Sequence, residues 1–374
     1  MKLKKIILDV ILSFFRLFLV FVKVDPKKIT FVSLEHEHLA GDFRLLSRAL
    51  EKENEKELDK YHLYYLLTKF EKTLWGNLQY FFICIKQLFV INSSALVILD
   101  YNNYVVSKFK RKEVKVLQLW HATGAIKQFG NVVDRDYTIA NYDYVISNCE
   151  YFRKPYAEAF NINEDQVYVT GIPKTDRLFK KRKIEKDRKA MYKQFPEIKG
   201  KKVVLYAPTF RGRLMAGFRD GQVNLDKIID ALGDEYVILY KMHPLLTNRT
   251  IDTHSHVICC NGMSIKKLFS VTDVLISDYS AIIFDFSIFD KPMVFYVPDL
   301  DEYAKNPGLF VDYEKEMPGQ ICKSEDAVVA AIQAPDCYQK ERKAFRNKFF
   351  AYQDGKSIKR VMALIDQIMG GEQS

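Results

Sequence analysis

Two histidines in this 374-residue chain stand just behind apolar runs: His121 in "LQLWHATGAIKQFG" (residues 117–130) and His243 in "YVILYKMHP" (residues 236–244). Near neutral pH an imidazole can take a proton from an attacking hydroxyl or donate a hydrogen bond to a phosphate. A histidine among apolar neighbours is otherwise a packed core residue, and for His121 that plain reading stands until its position is known. Two further clusters accompany them. "PTFRGR" (residues 208–213) carries Thr209, Arg211 and Arg213 behind "KVVLYA", and "SDYSA" (residues 277–281) places Ser280 behind "DVLI" and ahead of a helical run. Cations such as Lys241 and Arg211, with a hydroxyl at a helix amino terminus, suit a ligand that bears a pyrophosphate. Each cluster alone has a simpler account: a strand end turning at Pro244, an ordinary cap at Ser280, solvated arginines in a loop. Asp285, inside "AIIFDFSIF", needs a partner for its carboxylate on any account.

What joins these clusters is the type of element in front of each. "KITFVSL", "YHLYYLL", "SALVILD", "VKVLQLW", "DYVISN" and "QVYVTG" are short β-branched or aromatic runs separated by helical segments, one of them from about Asp42. That alternation predicts an α/β domain with a mainly parallel sheet. A charged stretch, "FKKRKIEKDRKAMYKQFPEIKGKK" (residues 179–202), then interrupts it as a solvated helix and turn. The alternation restarts with "KVVLYAP", "YVILYKMHP", "HVICCN", "DVLISDYS" and "PMVFYV", and a helical region over about residues 324–369 closes the chain. Two α/β domains facing a cleft follow, divided as residues 1–25, 26–180 and 181–374, the first of these a separate amino-terminal helix. In parallel α/β sheets ligands bind beyond the carboxyl ends of strands, which is where all four clusters fall.

Composition narrows the function classes. With 48% hydrophobic residues and unremarkable Gly and Pro, the chain is globular. Its six cysteines have neither framework nor zinc-site spacing, which suits a reducing compartment. "HEH" (residues 36–38) has no third ligand at metal-site spacing, so no metal site is expected. A net charge of +10 favours anionic partners, but the basic residues are dispersed and no nucleic-acid motif is present, so nucleic acid is not an expected partner. No P-loop, G-x-G-x-x-G or G-x-S-x-G appears. The amino-terminal "MKLKKIILDVILSFFRLFLVFVKVDPKK" is interrupted by Asp9 and Arg16, and lacks a small-residue cleavage site. On a helix Lys5, Asp9, Ser13, Arg16 and Lys23 form one narrow polar stripe. Such an amphipathic helix can lie in a membrane interface with its lysines at anionic headgroups, or pack on the protein's own surface.

"LWHATGAIKQFG", "TGIPKTDRLF", "VLYAPTFRG", "YKMHP" and "LISDYSAIIFDFSIFDKPMVFY" together resemble the CDP-glycerol glycerophosphotransferase family of teichoic acid synthesis, strongly over about residues 114–300. The resemblance implies a GT-B architecture of two Rossmann-like domains, a soluble CDP-glycerol donor and a membrane-bound polyprenyl-pyrophosphate-linked disaccharide acceptor. It implies no cofactor, a peripheral location on the cytoplasmic face of the cell membrane, and self-association or a complex of cell-wall enzymes as compatible assemblies. His121 and His243 match the family's two histidines, implied as the catalytic base and as a phosphate hydrogen-bond donor or leaving-group acid. Ala122, Thr123, Gly124 and Ala125 match a donor-contacting segment, as do Thr209, Arg211, Lys241, Met242, Ser280, Ala281 and Asp285. Lys174 stands where the family's polymerases carry arginine in "G-x-P-R", which keeps the charge and loses bidentate geometry. "WHATGAIKQFG" is closer to the priming branch than to the chain-extending enzymes with "WHGTP". Priming with glycerol phosphate is therefore the expected reaction. Chain extension, a CDP-ribitol donor, a sugar transferase or epimerase on the same fold, and a non-catalytic membrane scaffold are the alternatives.

Overall fold

Runs of Val, Ile, Leu and aromatic residues become strands in two separate parallel sheets. The computed structural model describes residues 2–69, 74–209, 211, 223–243 and 254–370. One unit holds Met1–His121, Phe129–Asp176 and Lys356–Ser374, and the other holds Ala122–Gln128 and Arg177–Gly355.

In the first unit, β1 (Asp25–Ser33), β2 (His62–Leu67), β3 (Ser94–Leu99), β4 (Lys115–Gln118), β5 (Tyr144–Ser147) and β6 (Val167–Val169) form a sheet in the order β2-β1-β3-β4-β5-β6. Every pairing is parallel. A parallel sheet is covered on both faces, so its strands read as unbroken apolar runs, and residues 29–33 of β1 are all buried. The helix Gly41–Lys56 lays Phe43, Leu46 and Leu50 against Ile29, Phe31 and Ile98 of the sheet. The strand order reverses between β1 and β3.

In the second unit, β7 (Lys202–Tyr206), β8 (Tyr236–Tyr240), β9 (Val257–Cys259), β10 (Val274–Ser277), β11 (Met293–Tyr296) and β12 (Gln320–Cys322) are ordered β12-β11-β10-β7-β8-β9, again all parallel. Counted within the unit this is the 3-2-1-4-5-6 arrangement of a dinucleotide-binding sheet, and the order reverses between β7 and β10. Its core joins Val204, Ile238 and Ile276 of the strands to Leu225, Ile228 and Ile229 of the helix Leu225–Leu232.

The alternation of elements assigns the closing helices to the second domain, but the last of them, Ser357–Gly370, belongs to the first unit. Val361, Leu364 and Ile365 complete that unit's core. Asp176 accepts from the first two amides of the helix, Ser357 N at 2.8 Å and Ile358 N at 3.0 Å, a capping arrangement of the kind usually worth ~1 kcal/mol. Gly171, in "TGIPK", has φ +75°, and a Cβ there would meet Ser357 Oγ at 2.4 Å, so only glycine lets the helix start this close.

The amino-terminal helix, Lys2–Arg16, also differs from its expected orientation. The start of its polar stripe turns inward, where Tyr104 OH donates to Asp9, Lys108 lies 3.8 Å from the same carboxylate and Lys5 Nζ sits 5.2 Å from the Tyr137 ring, whereas Ser13 and Arg16 stay exposed. Lys5 is therefore not at a headgroup position, and burial lowers its pKa. Lys23 falls beyond the helix, past a 3₁₀ turn at Leu17–Phe21. Leu8, Leu12 and Leu19 are buried, while Ile7, Val10, Phe14, Leu17, Phe18 and Phe21 are exposed. The Tyr104 hydroxyl and the Tyr137 ring engage Asp9 and Lys5, and the apolar face away from them is uncovered. Among the described residues no helix is long and apolar enough to cross a membrane.

Candidate active site

At the carboxyl end of β4, Trp120 rather than His121 enters the core. Trp120 is buried at 6% exposure with φ +57°, stacked 4.2 Å from Phe129 and packed edge-on against Phe160. That left-handed turn swings His121 to an exposed position, so the packed-core reading fails for it. The His121 ring lies 4.0 Å from Trp120 and stacks with Tyr101 at 5.8 Å. Lys174 Nζ donates to the His121 carbonyl at 2.6 Å, and the Lys174 amide donates to Asp42. Lys174, matched to a donor contact, therefore holds the backbone of the histidine turn.

The chain passes to the second unit between His121 and Ala122. Thr123 is buried and its hydroxyl donates to Asp285, which supplies the partner that the carboxylate in "AIIFDFSIF" requires. Farther along, Gln128 N donates to Gly308 O at 2.9 Å and Phe310 N to Ile126 O at 2.8 Å. Gly124 and Ala125 are buried within this strap.

The reversal point between β7 and β10 gathers most of the remaining residues. Thr209 N donates to both oxygens of Asp278, at 2.8 and 3.0 Å. Arg211, 7% exposed, bridges Asp278 and Asp299: Nη1 pairs with Asp278, while Nε and Nη2 donate to Asp299 at 2.9 and 3.1 Å. Tyr279 OH donates to Asp299 at 3.0 Å, and the guanidinium lies over the stacked Tyr279 and Tyr303 rings. Burial opposes the charge of Arg211, but Asp278 and Asp299 outweigh it and hold the group protonated. The guanidinium is thus engaged by carboxylates, and its geometry is that of a brace for the loop after β7. Ser280 is half-buried, and Ile282 N donates to its hydroxyl at 3.5 Å. Ala281 immediately precedes the helix Ile282–Ser287.

At the end of β8, Lys241 Nζ donates to Asn261 O at 2.8 Å and Met242 N to Asn261 Oδ1 at 2.8 Å, with Met242 itself buried. Burial lowers the pKa of Lys241. His243 is pushed down to about 4, first by burial and then by the positive charge of Lys127. It is a neutral imidazole at pH 7, able to donate one N–H hydrogen bond but not carrying an acidic proton to give away. Lys127, from the strap after Thr123, is likewise lowered by burial. Burial thus disfavours the charged form of both lysines, and a bound anion would favour it again. Arg213, Phe210, Gly212 and Pro244 lie outside the described residues. Sequence reasoning missed Lys127, Asp278, Asp299 and Tyr101. Asp278 stood inside a quoted motif at a strand end, whereas nothing local marks Asp299 as its partner in holding Arg211. Among the described residues no set of three His, Cys, Asp or Glu side chains could hold a metal ion, and His36 and His38 are exposed.

Residues 13–367 match the model of the CDP-glycerol:poly(glycerophosphate) glycerophosphotransferase family. The chain belongs to that family. As a glycerophosphotransferase-family member it is a phosphotransferase enzyme of teichoic acid biosynthesis, as the resemblance of its motifs implied. The teichoic acid ribitol-phosphate primase of Bacillus spizizenii is 30% identical over 389 residues, covering 98% of each chain. The teichoic acid poly(ribitol-phosphate) polymerase of the same organism is 33% identical over 292 residues, which span 74% of this glycerophosphotransferase and 47% of the polymerase. A solved structure of the wall teichoic acid polymerase TagF shares the fold, with a TM-score of 0.71 at 22% identity, covering 94% of this chain and 91% of that one.

Proposed function

We propose that the enzyme primes a teichoic acid chain: it moves one alditol phosphate from a CDP-alditol to a sugar hydroxyl of a polyprenyl-pyrophosphate-linked disaccharide. His121 takes the proton of the attacking hydroxyl, whose oxygen forms the new bond to the alditol-bearing phosphorus. The bond from that phosphorus to the bridging oxygen breaks, and CMP leaves with the electron pair. Phosphoryl transfer depends chiefly on positioning and charge stabilisation, so cationic side chains can supply what the departing CMP needs without a dedicated cofactor. Lys241 and Lys127 fill that role, with His243 as a neutral N–H donor to phosphate. Arg211, Thr209 and Asp278 shape the loop that receives the nucleotide, and Ala122, Thr123, Gly124, Ala125, Met242, Ser280, Ala281 and Asp285 line or support the donor side.

The observation that supports the priming reading is the 30% identity to a primase along 98% of both chains. Glycerol phosphate is the unit that the motif resemblance implies. Ribitol phosphate is the second reading, favoured by the name of that full-length relative. Presenting CDP-glycerol and CDP-ribitol separately, with a synthetic lipid-linked disaccharide, and weighing the product distinguishes them: one added unit from one donor is expected. A long distribution of added units would contradict priming.

We further propose that the uncovered face of the amino-terminal helix lies on the membrane that holds the acceptor. Burying a Phe, Leu or Val side chain is worth about 1.5–3 kcal/mol, so a few of these residues suffice for peripheral attachment.

A further inference from the structure

The functional reading leaves the reversal point of the first sheet, between β1 and β3, without a ligand. In α/β sheets that crevice is the preferred ligand position, because the helices on either side of it diverge. β1 ends at Ser33, and Asp100 immediately follows β3. Ser33 is buried, and its hydroxyl donates to Asp100 Oδ2 at 3.0 Å. The other oxygen, Oδ1, is buried and has no hydrogen-bond partner among the described residues. A buried carboxyl oxygen left unpaired is costly, and native proteins keep such atoms where a ligand or water completes them. The next residue, Tyr101, keeps 41% of its surface exposed and stacks on His121, with its carbonyl held by Gln118 Nε2 at 3.1 Å. The unpaired oxygen, an exposed aromatic ring and His121 therefore follow each other along one sheet edge, on the adjacent strands β3 and β4.

Resting on the transferase reading above, we propose that Asp100 and Tyr101 form the acceptor-sugar subsite: Asp100 Oδ1 binds a sugar hydroxyl neighbouring the one that reacts, and the Tyr101 ring supports the sugar beside His121. A pyranose offers both a hydroxyl for the carboxyl group and an apolar face for the ring. Burial, joined by the charges of Glu35 and Asp42, pushes the Asp100 carboxyl up to about 7 against the hydrogen bonds from Ser33 and from its own backbone N–H. A carboxyl group so disfavoured in its charged form gains from a hydroxyl partner.

The test is steady-state transfer to a synthetic lipid-linked disaccharide by wild type, Asp100→Asn and Ser33→Ala, with CDP-alditol binding measured by calorimetry. Replacing the carboxyl group by an amide weakens the hydrogen bond to the sugar hydroxyl and predicts an acceptor KM raised about tenfold in Asp100→Asn. Ser33→Ala, which frees the carboxyl group without removing it, is expected to give a smaller rise of about threefold. Donor affinity should be unchanged in both, a split that general loss of structure would not produce. Wild-type transfer with an unchanged acceptor KM in both variants overturns this inference alone. Absence of transfer by wild type to any donor overturns the functional reading, and this inference with it.

Discussion

His121 is held by its backbone and displayed by its side chain. Trp120 takes the left-handed conformation that non-glycine residues adopt at a cost of about 1–2 kcal/mol, offset here by its burial against Phe129 and Phe160. With Lys174 fixing the carbonyl, replacement of the imidazole should leave this turn intact. His121→Ala is therefore expected to lower transfer by about a hundredfold or more while calorimetry finds CDP-alditol binding nearly unaltered. Comparable loss of both would move His121 into donor binding. His243 gives a pH signature. The unfolded chain protonates this residue near pH 6.5 and the folded one only near 4, so folding stability should fall as pH drops through that interval. Urea midpoints at pH 7 and pH 5 should differ less in His243→Gln than in wild type, and equal differences would refute the assignment. The candidate histidines were legible because each follows a strand-like run. The lock of Arg211 between Asp278 and Asp299 was not, since it joins three loops through space and changes the arginine from an available cation to a structural one.

At the scale of elements, most strands were legible as apolar runs, because parallel strands buried on both faces have no polar alternation to confuse with a helix. β12 was not, being only Gln320–Cys322 and recognisable through its pairing with β11. The return of Ser357–Gly370 to the first unit was equally hidden, since it rests on Asp176 capping amides across 181 positions of sequence. In the amino-terminal helix spacing defines the polar stripe, but Tyr104 and Tyr137 draw only its start inward and leave Ser13 and Arg16 exposed. Sedimentation with phospholipid vesicles tests the consequence. A Val10→Asp, Phe14→Asp, Phe18→Asp variant should remain in the supernatant with an unchanged circular dichroism spectrum, whereas wild type should pellet even at high salt. Wild type that is released by salt would point to headgroup electrostatics instead, and pelleting of the variant would remove the helix from the membrane contact.

For the whole molecule, two parallel sheets have separate reversal points, and the residues proposed to bind ligands at each differ in kind. The second sheet gathers Lys127, Lys241 and a neutral His243, suited to a nucleotide diphosphate. The first presents His121, Tyr101 and a carboxyl group, suited to a sugar hydroxyl. Family membership establishes the phosphotransferase chemistry, and the addition of a single unit is the proposal that goes beyond it. The most direct measurement of that claim is the mass of the lipid-linked product after incubation with excess CDP-glycerol or CDP-ribitol, with CMP release followed in parallel. One alditol phosphate per acceptor from one of the two donors, with a matching amount of CMP, is the expected result. A ladder of products extending over many units, or CMP release without any acceptor dependence, would contradict it.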